Sequence, residues 1–140
     1  MPAIAKEGGL CAASLREAAS GLLYTSEGDY PFDDVSVPGG AKTWPVDAEQ
    51  FVSLMQLPPA AHVSTQSIDQ FFARHIERAD PADASMQAMR PRYEKLRDVV
   101  KSTLHDVRVF RVGDVEIRCF VVGSDGSGNL CGIATTSVET

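Results

Sequence analysis

The last third of the chain alternates apolar and polar side chains in three runs joined by links too short for anything but hairpins. VRVFRV (residues 107–112) leads through Gly113-Asp114 into VEIRCFVV (residues 115–122), and SDGSGN leads on into LCGIATTSVET (residues 130–140). A parallel return would need a crossover of about a dozen residues or more. The runs are therefore read as an antiparallel meander whose third strand continues to the last residue. Ile117, Cys119 and Val121 fall on one face of the middle strand and Phe120 and Val122 on the other. A sheet apolar on both faces needs cover on both, so the expected fold is α+β, an α-β-α sandwich with a C-terminal β-meander.

The cover is sought upstream. Leu15, Ala18, Ala19, Leu22 and Leu23 recur at helical spacing behind the capping-box string Ser14-Leu15-Arg16-Glu17, predicting a first helix from about Cys11 to Leu23. A strand is expected around Asp34 to Val37, and a short helix capped by Asp47 and stopped by Leu57-Pro58-Pro59. A weak strand over His62 to Thr65 precedes a short helix over Ser67 to Ile76, with Ile68, Phe71, Phe72 and Ile76 on one side. Asp80-Pro81 resembles a cap with proline at the first helical position, starting another turn or two. Pro91 is placed in the first turn of the clearest helix, whose buried face is Tyr93, Leu96, Val100 and Leu104. With 140 residues, 44% of them apolar, one core suffices, and residues 1–140 are expected to form a single domain.

The formal charge of −6 is unevenly placed: residues 1–70 hold three basic against nine acidic side chains, residues 71–140 ten against ten. Direct nucleic-acid binding needs a basic face and is not expected. A basic partner is the natural complement. No apolar run approaches the roughly 18 residues of a membrane helix, and Lys6 and Glu7 interrupt any signal-peptide core, so neither a membrane nor an export role is expected. The location expected is cytoplasmic. Cys11, Cys119 and Cys131 lack CxxC spacing and are read as reduced, mostly buried thiols.

Enzymatic signatures are missing. His62, His75 and His105 show no metal-ligand spacing, and no nucleophile elbow is present. The SDGSGN link lacks the glycine and bidentate glutamate of a calcium loop and leads into a strand, so it is read as a plain hairpin with no cofactor or metal. The stretch SEGDYPFDD is the densest candidate, carrying Glu27, Asp29, Asp33 and Asp34 around a Tyr-Pro-Phe turn. Composition alone is equally consistent with a recognition loop and with a merely solvated one.

Several strings in order carry more information. LREAASGLLYTSEGDYPF, SIDQFF and the stretch from YEKLRDVV to the terminal SVET resemble, over most of the chain, the nuclease A inhibitor family. The resemblance implies an α-β-α sandwich that blocks a sugar-nonspecific, magnesium-dependent nuclease and is not an enzyme. It implies partner-binding roles for Glu27, which would meet arginines of the nuclease, for Thr140, which would approach the nuclease's metal, and for Asp80 on the loop after the Phe-Phe helix. Asp29, on the same turn as Glu27, and Glu139, projected with Thr140 and the chain's terminal carboxylate, complete the expected site. The chain has Pro81 where the family pattern has tryptophan, and residues 39–62 have no counterpart in it. A monomer is expected when free. The rival expectation is a binding module of the same fold with a different partner.

Overall fold

The middle run of the meander is the central strand of the structure, and its two faces divide the core as the alternation requires. A computed structural model describes residues 13–140. After a helix over residues 13–19 (α1) come β1 (Leu23–Thr25), β2 (Asp29–Pro31), β3 (Asp33–Val37), α2 (Ala48–Leu54), β4 (Val63–Gln66) and α3 (Ile68–Phe72). A 3-10 turn (Ala73–His75), α4 (Ala84–Thr103), β5 (His105–Val112), β6 (Glu116–Ser124) and β7 (Leu130–Val138) complete it. Five strands form one antiparallel sheet in the order β3-β7-β6-β5-β4, and β1 and β2 form a separate hairpin.

Ile117, Cys119 and Val121 pack with Leu15, Phe71, Phe72, Leu96 and Val100 from α1, α3 and α4 and with Leu22 from the link after α1. Phe120 and Val122 pack on the opposite face with Val35, Phe51 and Phe110. There the Phe51 and Phe110 rings stack at 4.1 Å with 6° between planes, and Phe120 meets Phe51 edge-on at 5.3 Å. The stretch 39–62 thus supplies the second layer, through α2 and through Trp44, whose Nε1–H donates to the Asp106 carbonyl at 2.8 Å. The sandwich is unequal, with most of the helix on one side.

Some boundaries differ from the sequence reading. Helix α1 ends at residue 19 because Gly21 takes a positive φ of 77°; Ser14 lies inside the helix rather than at its cap, and Cys11 is outside the described residues. Pro91 is interior to α4, which starts at Ala84 under an Asp83 side chain accepting from the Met86 N–H. The proline removes one donor from the helix but not the burial of Tyr93, Leu96 and Val100 below it, and that burial decides the element. Strand β7 stops at Val138, although the Glu139 N–H still donates to the Val115 carbonyl at 2.8 Å. Cys119 is free and buried, its thiol pushed up to about 11 by burial. Cys131 is disulfide-bonded, which corrects the expectation of reduced thiols; sequence spacing constrains metal sites far more than it constrains pairing through space.

Candidate partner-binding site

Strand β7 is paired with β3 only as far as Ala134, which leaves its second half open on that side. The β1–β2 hairpin fills the gap. Thr135 Oγ1 donates to the Pro31 carbonyl at 2.9 Å. Farther along, the Val138 N–H donates to Ser26 Oγ at 2.9 Å and the Val138 carbonyl accepts from the Glu27 N–H at 3.2 Å. The Ser26 hydroxyl donates to the Gly28 carbonyl at 3.2 Å, closing the turn over residues 26–28.

The hairpin is also held from the helical side. Tyr24 stacks on Phe71 at 4.6 Å, and the Tyr93 hydroxyl donates to the Leu23 carbonyl. The Thr25 N–H donates to His75 Nε2 at 3.0 Å. Accepting at Nε2 requires the neutral tautomer with the proton on Nδ1, a buried atom with no partner among the described residues. Burial lowers the His75 pKa to about 4, consistent with that neutral state.

At the tip, Glu27 and Thr140 bind each other. The Thr140 N–H donates to Glu27 Oε2 and the Thr140 hydroxyl to Oε1, both at 2.6 Å. These bonds, the hydroxyl's first, hold the Glu27 carboxyl below its usual range. Both residues are exposed. The turn expected from SEGDYPF is therefore a rigid hairpin end joined to the last residue of the chain.

Glu139 turns the other way. Its Oε2 accepts from Arg111 Nη2 at 2.6 Å and from the Ser137 hydroxyl at 2.7 Å. The Arg111 hydrogen bond holds Glu139 below the usual carboxylate range. Of the remaining candidates, Asp29 is exposed at the start of β2, and its carboxylate makes no hydrogen bond or ion pair among the described residues. Asp33 pairs with Arg118 at 2.8 Å and Asp34 with Arg16 at 2.6 Å, so half of the acidic cluster is neutralised internally. Asp80 is exposed on its own loop, accepting from the Ala82 N–H at 2.9 Å, and no hydrogen bond or ion pair joins it to the hairpin among the described residues.

The structure thus brings Glu27, Thr140 and Asp29 to one end, sets Glu139 beside them but engaged with Arg111, and leaves Asp80 apart. Ser26, Ser137, Arg111 and His75 position the end and escaped the sequence reading. Arg111 carried a signal, a charged residue in line with Val107 and Val109 on an otherwise apolar strand face. Fixed carboxylate oxygens on an exposed tip can accept from guanidinium groups or approach a hard cation.

A family model described as nuclease A inhibitor-like protein matches residues 10–140. No curated protein matches the chain.

Proposed function

The chain belongs to the nuclease A inhibitor-like family, and from that premise we propose that it acts, as a single domain, as a protein inhibitor of a sugar-nonspecific, magnesium-dependent nuclease. The observation that carries the reading is the Glu27–Thr140 pair, an oxygen-rich tip locked by two 2.6 Å hydrogen bonds. A nuclease cleft is built to hold phosphate with arginine side chains and a metal ion. Fixed carboxylates can occupy that field without presenting a bond to cleave. In this reading Glu27 and Asp29 meet the cleft's cations, and Thr140 reaches toward the partner's metal. Asp80 supplies a second, separate contact, with Pro81 where an aromatic anchor would otherwise sit.

Pre-organisation favours tight binding, because the tip loses little freedom on docking. The test is cleavage of DNA by such a nuclease, titrated with the protein and with a form lacking Glu139 and Thr140. Stoichiometric inhibition by the full chain is expected, and truncation should weaken it by about 2–5 kcal/mol, as loss of a buried interfacial charge pair does. Absence of inhibition at micromolar excess would give the tip to another protein partner.

A further inference from the structure

From Ser137 to Thr140, successive residues of the tail are held from opposite sides. Val138 and Thr140 bond to Ser26 and Glu27 on the hairpin, whereas the Ser137 hydroxyl and Arg111 both donate to the Glu139 carboxylate. The Arg111 side chain is 17% exposed and that of Glu139 35%, so this pair sits under the tail rather than on the tip. Arg111 also reaches the Gln66 side-chain carbonyl at 3.4 Å, which ties the pair to edge strand β4. Oε2 of Glu139 therefore has two donors already, from within the chain.

Building on the reading of the Glu27–Thr140 tip as the contact surface, we propose that Glu139 is a positioning residue and not a partner ligand. Its pairing with Arg111 and Ser137 fixes the direction in which Thr140 leaves the sheet and so brings Thr140 onto Glu27. Glu139 has one peptide bond between itself and Thr140, so any swing of its backbone moves the Thr140 N–H away from the Glu27 carboxylate. A direct ligand would have to turn its carboxylate toward the tip and away from Arg111, leaving a mostly buried guanidinium unpaired.

The two roles differ in what Arg111 does. Under the proposal, Arg111→Met and Glu139→Gln each loosen Thr140, and the double variant is no worse than the poorer single one. In the protein alone, amide exchange at Thr140 should rise about tenfold in each single variant, with strong non-additivity in the double, as for residues acting as one unit. Ser137→Ala, which removes one donor and leaves the ion pair, should give a smaller rise and covers the case in which Arg111→Met does not fold. Unchanged Thr140 exchange in Glu139→Gln and Ser137→Ala overturns the proposal. In the nuclease assay, Arg111→Met and Glu139→Gln should weaken inhibition alike. Loss in Glu139→Gln with full or improved inhibition in Arg111→Met, which frees the carboxylate, overturns it and makes Glu139 a ligand. If the unaltered protein does not inhibit, the inhibitor reading falls while the exchange measurement still decides the role of Glu139.

Discussion

His75 couples the hairpin to acid at the scale of a single side chain. The unfolded chain protonates its histidine near 6.5 and the folded chain only near 4, so between those values the unfolded state binds more protons. Stability is then expected to be level above about 6.5 and to fall as pH drops toward 4. His75→Gln keeps an acceptor for the Thr25 N–H and removes the titration, so its urea midpoint should lack that slope; equal slopes in both proteins would refute a buried neutral imidazole. Glu27 adds a second, lower window. Its folded pKa lies below the ordinary 4.5, so the stabilisation from Thr140 is present above that value and lost as pH falls through the folded one. The turn that carries Glu27 was legible in the sequence as a crowded polar stretch between tyrosines, while the role expected of Glu27 itself came from the family resemblance. Ser26 and His75 were not, since their roles come from bonds to residues 112 and 50 positions away.

At the scale of elements, the meander was readable because each strand of β5, β6 and β7 is long and its neighbour is next in sequence. The β1–β2 hairpin was not. Its strands have three residues each, too few to show alternation, and they persist because β7 and α3 hold them. Helix α4 was read from Pro91 onward because proline is a strong local signal, yet it begins seven residues farther back, where the Asp83 side chain caps it by accepting from the Met86 N–H. Strand β7 carries its own constraint at Gly132. A Cβ there would lie 2.0 Å from the Val121 carbonyl oxygen of β6, a backbone atom that can only yield by shifting the strand. Gly132→Ala should therefore destabilise the protein by about 1–3 kcal/mol, the usual range for overpacking, as measured by chemical denaturation. A change within a few tenths would mean that β6 and β7 separate more easily than their register implies.

At the scale of the whole molecule, the acidic excess of the first half is not one continuous field. Asp33, Asp34 and Asp69 are matched by Arg118, Arg16 and Lys101, which concentrates the uncompensated charge of the hairpin at Glu27 and Asp29. A cationic cleft would be steered toward that end. Association with a nuclease should slow about tenfold between roughly 0.05 and 0.5 M salt while dissociation changes little; stopped-flow mixing at the two ionic strengths reads both rates. A salt-independent association rate would assign recognition to the apolar surface instead. Charge totals made the acidic bias legible, but which carboxylates stay unpaired depends on partners from other strands and helices.

The Glu27–Thr140 contact spans 113 residues of chain. Neither half of the tip holds its shape without the sheet and helices between, so the motif is not portable: a grafted SEGDYPF loop or a synthetic SVET peptide would inherit the letters and none of the lock. Whatever reads this surface also reads whether the protein that bears it is fully folded.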